Sequence, residues 1–373
     1  MKSRRSILAM FLIVATIFSL LTACSDAGST SPAPIASDTA QSTESASTES
    51  LSYGRQEAIK AGMGSVECTS TDEFNLRLGH VIAEDSPYHQ GSEYLAQLIE
   101  QRTNGHVKVT VYPAAQLGGE VDLFEGMTMG TVDMALTASA PLLNFCPEVG
   151  IIDIPYLFDS YEHAYAVLDG EIGTEILSSL QNAGVVGLSF YEGDFMTLHM
   201  TSSVTCVEDM KGKKIRTMEN PLHIDFVNMC GGVATPMAFS ETYTALDNHT
   251  VDGGIQNMCQ VYATKFYIPS PYQALTRHVY NASPMMIAKT VWDKMPEDYQ
   301  AIIKECALEA ASWQRAYNHE YTNEKMEIMA NEGAIFEEVE QEGFKKVAEQ
   351  VVAKYVPSTY SQELYDSIRN CKY

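Results

Sequence analysis

The sequence predicts an α/β fold, and three observations support this class. Between residues 74 and 137, short alternating apolar runs and helical patterns follow in the order strand, helix, strand, helix, strand, which favours a parallel sheet with helices on its faces. Residues 71–373 suffice for one large core or two domains of about 150 residues each. A helical pattern of about 35 residues near the C-terminus corresponds to about 50 Å, so this helix must lie across two domains or project from one.

The first five elements are placed by strand alternation and helix caps. Residues 74–81 alternate as a strand, and Ser86-Pro87 begins a helix that ends at Thr103-Asn104-Gly105, where Asn or Gly suits a left-handed cap. The other three are a strand at 107–111, a helix at 119–129 and a strand at 132–137.

The middle of the chain is predicted to leave the first domain and to return to it. A single helix at 161–183 leads to a strand at 185–191, and Gly193-Asp194 is interpreted as the crossover. The elements that follow are a turn and strand within 204–218, a helix at 222–230, a strand at 233–235, a helix at 240–248 and a strand at 253–256. Residues 285–288 are predicted to rejoin the first sheet.

The long C-terminal helix has a marked beginning. Pro296 suits the first helical position, and Glu297 and Asp298 place negative charge in the first turn, where the helix dipole favours it. Apolar residues recur at helical spacing as far as Glu332-Gly333.

Residues 1–24 are predicted to be a lipoprotein signal peptide. Lys2 and two arginines form a basic region, and the apolar run of residues 7–21 is short for a membrane span but suits a signal sequence. The residues up to Cys24 match a bacterial lipobox, whose processing leaves an acylated Cys24 at the new N-terminus; two or three acyl chains anchor a protein stably to the bilayer. The alternative is an ordinary secretory signal with an incidental cysteine.

Residues 25–70 are predicted to be a flexible tether. Residues 25–50 consist mostly of Ser, Thr, Ala and Pro, and they cannot bury enough apolar surface to fold. Residues 51–70 show no clear pattern of their own.

Composition and motifs exclude several functions. The net charge of −24 repels phosphate backbones, so no nucleic-acid partner is expected. The sequence lacks a P-loop, an HExxH motif, a GxSxG motif, a dinucleotide fingerprint and a CxxC pair. No catalytic residue, metal ligand or cofactor is predicted, although a Ser-His-Asp triad is set by space and not by sequence order.

A series of short sequence motifs, in order and at matching spacing, resembles one family over residues 74–320. The motifs are Leu78-Gly79-His80, Asp85-Ser86-Pro87-Tyr88-His89-Gln90-Gly91, Tyr112-Pro113, Gln116-Leu117-Gly118-Gly119-Glu120, Gly130-Thr131-Val132-Asp133, Pro147-Glu148, Ile154-Pro155-Tyr156-Leu157-Phe158, residues 209–216, residues 235–246, Val251-Asp252-Gly253 and Lys265-Phe266-Tyr267. In these motifs the chain resembles the DctP-type substrate-binding proteins of tripartite ATP-independent periplasmic (TRAP) transporters.

The resemblance implies a two-lobed clamp of the periplasmic-binding-protein type, in which each lobe is a sheet flanked by helices and a long C-terminal helix spans both lobes. Lobe I is expected at 71–193 plus 281–292, and lobe II with the spanning helix at 194–280 plus 293–373. The resemblance also implies capture of a small organic acid and its delivery to a sodium-driven membrane permease.

Arg216 aligns with the carboxylate-binding arginine of the family. A guanidinium presents a planar fork to both carboxylate oxygens, stays charged, and tolerates the loss of water better than an ammonium group. The alternative is a surface arginine at the end of the basic turn that contains Lys211, Lys213 and Lys214.

Other pocket positions carry over less directly. Phe239 matches an aromatic residue that packs on the ligand, with a core role as the alternative. His278 matches a cleft histidine of some relatives, with a structural role as the alternative. Gln256 stands where the family commonly has Asn, and Val81 and Ala138 are added as expected lining positions.

Two residues bear on the kind of ligand. Met196 stands where the family often has a second arginine, and it supplies an uncharged, polarizable wall. Glu219, if it faces the cleft, repels a second negative group. We therefore expect a monocarboxylate with an apolar or amino-bearing body; the alternative is that both side chains point away.

The sequence thus predicts an extracytoplasmic, lipid-anchored solute receptor of a TRAP transporter, without enzymatic activity. One alternative is a lipid-anchored sensor receptor that feeds a signalling partner. The other, less favoured, is an enzyme on a similar scaffold.

Overall fold

The computed structural model describes residue 64, residues 66–356 and residues 358–373. The predicted signal peptide, Cys24 and most of the predicted tether lie outside the described residues. Within the described ranges, no helix combines the length and the hydrophobicity that a membrane span requires.

The strands of the described residues form one nine-stranded sheet. They are β1 (Phe74–Gly79), β2 (Val107–Tyr112), β3 (Met134–Leu136), β4 (Val185–Met200), β5 (Lys214–Thr217), β6 (Val233–Pro236), β7 (Gly253–Gln256), β8 (Tyr272–Ala288) and β9 (Ile335–Glu337). Their order across the sheet is β2-β1-β3-β8-β4-β7-β5-β6, and β9 pairs with β8 outside this path.

Helices cover and connect the strands. They are α1 (Pro87–Arg102), α2 (Glu120–Met129), α3 (Ser139–Leu142), α4 (Tyr161–Leu168), α5 (Glu171–Ser179), α6 (Pro221–Met229), α7 (Thr242–Asp247), α8 (Met258–Ala263), α9 (Lys289–Trp292), α10 (Glu297–Asn331), α11 (Gln341–Tyr355) and α12 (Gln362–Arg369). Short 3-10 helices lie at Pro147–Asp153, Leu180–Ala183, Val207–Met210 and Phe239–Glu241.

Two parallel groups of strands are joined by two long antiparallel strands. β1 pairs in parallel with β2 and β3, and β5 pairs in parallel with β6 and β7. β8 pairs with β3 near one end, and β4 pairs with β7 near its C-terminus, while β4 and β8 pair with each other along their length. Each lobe of the clamp thus has its own parallel strands, and the predicted α/β class is confirmed.

The crossing strands are longer and less regular than the sequence indicated. β4 runs sixteen residues, well past the predicted end at Tyr191, and its pairing with β8 shifts register between Glu192 and Phe195. Gly193 lies at this irregularity, where a Cβ atom would stand 2.1 Å from Asn281 Oδ1. The predicted crossover at Gly193-Asp194 is therefore a bulge within a continuous strand, and glycine is required there by the close approach of β8.

The single helix predicted at 161–183 is wrong. α4 ends at Leu168 with Asp169 as its C-cap, and α5 begins after Gly170, which is in an extended conformation. Asp169 still has helical dihedral angles and its carboxylate accepts a hydrogen bond from Arg315 at 2.8 Å, so the backbone leaves the helical path at Gly170. Apolar periodicity continues across this break, which is why the pattern alone suggested one helix.

The long helix predicted near the C-terminus is confirmed as α10, 35 residues from Glu297 to Asn331. It packs against α1, β4 and α8. Gln314 fixes it to the crossing strand, because its amide accepts from the Glu192 N–H at 2.8 Å and donates to the Glu192 C=O at 2.9 Å. The buried Glu309 carboxylate pairs with Arg102 of α1.

The chain begins to pack onto the body before residue 71. The backbone N–H groups of Thr69 and Ser70 donate to the Asp298 carboxylate at 2.7 and 2.8 Å, at the first turn of α10. Val66 and Cys68 pack against the apolar cluster formed by α1, β1 and α10. The last residues assigned to the tether therefore contact the folded part.

Candidate ligand-binding site

A pocket lies at the ends of the parallel strands of both lobes. It is small and partly open to solvent. Its lining is formed by His80, Val81, Ile82, Tyr88, Glu120, Leu136, Thr137, Ala138, Met196, Arg216, Met218, Phe239, Gln256, Gln260, Asn281 and Ser283. Because β1, β3, β5 and β7 all contribute residues at or just after their C-terminal ends, the pocket lies where open α/β sheets commonly bind ligands.

Arg216 is the cation of this pocket. It lies on β5, its side chain is 2% exposed, and Nη2 donates to the Met237 C=O at 3.0 Å. Nε is buried and has no hydrogen-bond partner within the part of the chain that the structure describes. Burial lowers the pKa of Arg216 to about 10, partly opposed by Glu120 and Glu219, so the guanidinium remains charged at neutral pH. A buried charge without an anionic partner is costly, and a bound carboxylate would remove that cost.

Glu120 is the acid of this pocket. It is the first residue of α2, and its Oε1 accepts from the Ala138 N–H at 2.7 Å. Burial raises the pKa of Glu120 above its ordinary value, and the hydrogen bond from Ala138 and the charge of Arg216 offset only part of this rise. The carboxylate is thus held in place by the backbone just before α3.

Neutral polar groups complete the polar part of the lining. Tyr88 OH lies 3.1 Å from Asn281 Oδ1 and 2.9 Å from Ser283 Oγ. Asn281 Nδ2 and Thr137 Oγ1 are buried atoms that find no hydrogen-bond partner in residues 66–356 and 358–373. Burial lowers the pKa of His80 to about 3, so His80 is a neutral lining group. The two unpartnered atoms leave one donor and one hydroxyl for a ligand.

Six of the eight sequence-predicted site residues come together around this pocket. They are Val81, Ala138, Met196, Arg216, Phe239 and Gln256. Phe239 also packs against Phe266, with ring centroids 5.8 Å apart. Met196 is 1% exposed and forms part of the apolar wall.

His278 and Glu219 are not part of the pocket lining. His278 is buried, its Nδ1 lies 2.7 Å from Thr276 Oγ1, and its ring stacks on Phe226. Its environment is structural, which was the alternative stated for it. Glu219 is exposed just beyond β5 and acts on Arg216 through its charge without lining the pocket.

Sequence reasoning missed ten of the sixteen lining residues, among them Glu120, Tyr88, Thr137 and Asn281. Glu120 and Tyr88 lie within sequence motifs that resemble the family, so the resemblance could have identified them. Asn281, on the crossing strand β8, lies in none of these motifs and had no such signal. Within the described ranges, no group of three or more His, Cys, Asp or Glu residues is placed to hold a metal ion.

Fold and pocket together define a two-lobed solute-binding protein. Residues 78–358 match the family described as bacterial extracellular solute-binding protein, family 7, and the chain belongs to this family. It is therefore a TRAP-type, extracytoplasmic receptor for small organic acids, in a family of transport proteins and not of enzymes.

Three relatives illustrate the similarity. The chain is 38% identical over 253 residues to a solute-binding protein of Verminephrobacter eiseniae, covering 66% of this chain and 74% of that protein. It is 28% identical to the C4-dicarboxylate-binding periplasmic protein DctP of Rhodobacter capsulatus, covering 75% of this chain and 88% of that protein. A TRAP periplasmic solute-binding protein from Polaromonas sp JS666, bound to D-erythronate, matches with a TM-score of 0.78 and 32% identity, covering 81% of this chain and all of that one.

Proposed function

We propose that this receptor binds a small monocarboxylate with a hydroxylated body and holds the carboxylate through Arg216. The observation that carries the proposal is a buried guanidinium that lines the pocket with one hydrogen bond to a carbonyl, an unpartnered Nε and no ion pair to any described acid. A ligand carboxylate supplies the missing charge and accepts hydrogen bonds in a bidentate geometry.

A single carboxylate fits the charge of the lining. Arg216 is the one cation among the described lining residues, since His80 is neutral and Met196, which we align with the second arginine of the family, is uncharged. A second carboxylate in this space would have no cation to bind. The name of the Rhodobacter capsulatus relative refers to C4-dicarboxylates. We propose that this receptor prefers monocarboxylates instead, because Met196 supplies no second positive charge.

The polar lining supports a hydroxylated body in place of the apolar or amino-bearing body expected from the sequence. Tyr88, Thr137, Gln256, Gln260 and Asn281 surround the space beside Arg216. Groups of this kind are matched by ligand hydroxyls, and leaving them unpaired in a closed pocket costs binding free energy. D-erythronate, the ligand of the Polaromonas protein, is a monocarboxylate of this type.

The remaining parts of the proposal concern where the receptor works. We propose that acylated Cys24 anchors it to the bilayer, that the tether between Cys24 and the body gives it reach, and that TRAP permease subunits receive its ligand. The support is the lipobox ahead of Cys24 and membership of a transport family.

A thermal-shift panel followed by calorimetry tests the proposal. The purified folded part is screened against hydroxylated monocarboxylates, apolar monocarboxylates and dicarboxylates, and the best ligand is titrated into the wild type and Arg216→Ala. Stabilisation by hydroxylated monocarboxylates, lost in Arg216→Ala, is the expected result. A panel in which no organic acid binds, or in which binding survives Arg216→Ala, would overturn it.

A further inference from the structure

The pocket contains a carboxylate of its own, and a receptor for anions has no general need of one. Among the described residues that line the pocket, Glu120 is the one acid. It lies on the first turn of α2, and Arg216, which lies on β5, lines the same space. The two charges influence each other, yet they form no ion pair.

One oxygen of Glu120 is engaged and the other is free. Oε1 accepts from the Ala138 N–H at 2.7 Å, which fixes the side chain against the start of α3. Oε2 makes no hydrogen bond among the described residues, and Glu120 lines the pocket. The geometry therefore presents an oriented acceptor to whatever fills the pocket.

An ionised carboxylate accepts hydrogen bonds and donates none. A hydroxyl hydrogen of the ligand satisfies Oε2, whereas a second ligand carboxylate would oppose it with a like charge and with a further acceptor. Removal of water strengthens this repulsion, because the effective dielectric constant of a closed pocket is low.

We propose that Glu120 is a specificity-determining residue that accepts a ligand hydroxyl and excludes ligands with a second carboxylate. This inference rests on the proposed function, because it assumes that Arg216 holds the first carboxylate. It assigns the rejection of dicarboxylates to an acid present in the pocket as well as to the arginine replaced by Met196.

The test uses pairs of ligands that differ only in their distal group. D-erythronate and meso-tartrate share a four-carbon chain, and D-galactonate and galactarate share a six-carbon chain; in each pair a terminal hydroxymethyl group is replaced by a carboxylate. Dissociation constants are measured by calorimetry for the wild type, Glu120→Gln and Glu219→Gln. Glu219→Gln is the matched control, because it removes the other negative charge that acts on Arg216 but lies outside the pocket.

The wild type is expected to prefer the monocarboxylate of the better pair by at least about tenfold, or 1.4 kcal/mol. Glu120→Gln is expected to reduce that preference to less than about threefold, while Glu219→Gln leaves it within about twofold of the wild type. Glutamine retains an oxygen for the Ala138 N–H, so the fold should tolerate it. If the Glu120→Gln protein does not fold, Glu120→Asp is measured in its place. This variant should preserve the discrimination between the two ligands of a pair, because aspartate preserves the negative charge.

Failure of this inference differs from failure of the proposed function. An unchanged preference in well-folded Glu120→Gln, or equal binding of both members of each pair by the wild type, overturns the role of Glu120 while leaving that of Arg216 intact. An equal loss of discrimination in Glu219→Gln also overturns it, because the effect would then be one of general charge. Absence of binding of every organic acid would count against the proposed function itself.

Discussion

Arg216 and Glu120 line one pocket from the two lobes without pairing with each other. Had they formed an ion pair, a ligand carboxylate would have to compete with Glu120 for the guanidinium. Because they do not, each is available to a different part of the ligand. The arrangement suits a ligand with one anionic end and one hydrogen-bond-donating end.

Arg216→Ala is predicted to remove most ligand affinity. Truncating one partner of a buried charged pair costs about 2–5 kcal/mol, which is roughly 30- to 5000-fold in the dissociation constant. Arg216→Lys should not restore the affinity, because an ammonium group cannot reproduce the planar fork. Calorimetry measures both, and Arg277→Ala is a suitable control, because Arg277 is exposed, pairs with Glu338 and does not line the pocket. A change below about threefold in Arg216→Ala would be incompatible with the assigned role.

Met196→Arg is predicted to move the ligand preference toward dicarboxylates. Met196 is almost fully buried in the pocket wall, so an arginine there adds a second cation beside the ligand and offsets the charge of Glu120. The ratio of dissociation constants for D-erythronate and meso-tartrate measures the effect. Met196→Leu preserves volume and apolar character, and it should leave the ratio unchanged. Equal ratios in the arginine and leucine variants would show that position 196 does not influence selection.

The parts of the fold that could be predicted are those with local signals. α1 follows its cap signals closely: Ser86 Oγ accepts from the His89 N–H, and Asn104 and Gly105 have positive φ angles after the helix ends. α10 was predicted within a residue or two because its apolar spacing and acidic first turn are independent of distant contacts. The predicted β4 ended too early, because the strand continues through a bulge at Gly193 that packs closely against Asn281, which is far away in the sequence.

The site shows the same division. Arg216 and Met196 could be placed through the family resemblance, because their positions are set by a strand with recognisable flanks. Glu219 and His278 could not be separated from the pocket residues, because the direction of a side chain after a strand or within a bulge depends on packing. Glu120 lies within a sequence motif that resembles the family, but the orientation of its carboxylate depends on a hydrogen bond from the Ala138 N–H, eighteen residues away.

Residues 66–70 are predicted to contribute to thermal stability, while the chain before residue 61 is not. A protein beginning at residue 61 should melt near the temperature of the full mature chain, whereas one beginning at residue 71 should melt lower, because it loses the hydrogen bonds from Thr69 and Ser70 to Asp298. Scanning calorimetry provides the melting temperatures. Asp298→Asn in the longer protein removes the same acceptor charge and should also melt lower. Identical melting temperatures for both truncations would rule out a stabilising role for this segment.

Asp153 is predicted to make stability fall as pH rises from 5 to 8. It is fully buried at the end of the 3-10 helix Pro147–Asp153, accepts from Ser139 Oγ at 2.8 Å and from Asn220 Nδ2 at 3.2 Å, and lies 4.0 Å from His223. Burial raises its pKa to about 7, whereas burial lowers the pKa of His223 to about 3, so no cation balances the ionised carboxylate.

The direction follows from proton linkage. The folded state binds the Asp153 proton more tightly than the unfolded state does. The protonated side chain therefore contributes to the free energy of unfolding; this contribution is fully present below the unfolded pKa of about 4 and is lost by about pH 7. Between pH 5 and 8 the loss is on the order of 2 kcal/mol. Urea unfolding at both pH values should therefore show that Asp153→Asn gains stability relative to the wild type as pH rises. Asp225→Asn is the control, because the pKa of Asp225 is lowered and its titration ends below this range. The slope with pH is the readout, since the new amide alters the hydrogen bond to Asn220 at every pH; parallel wild-type and Asp153→Asn profiles would contradict the prediction.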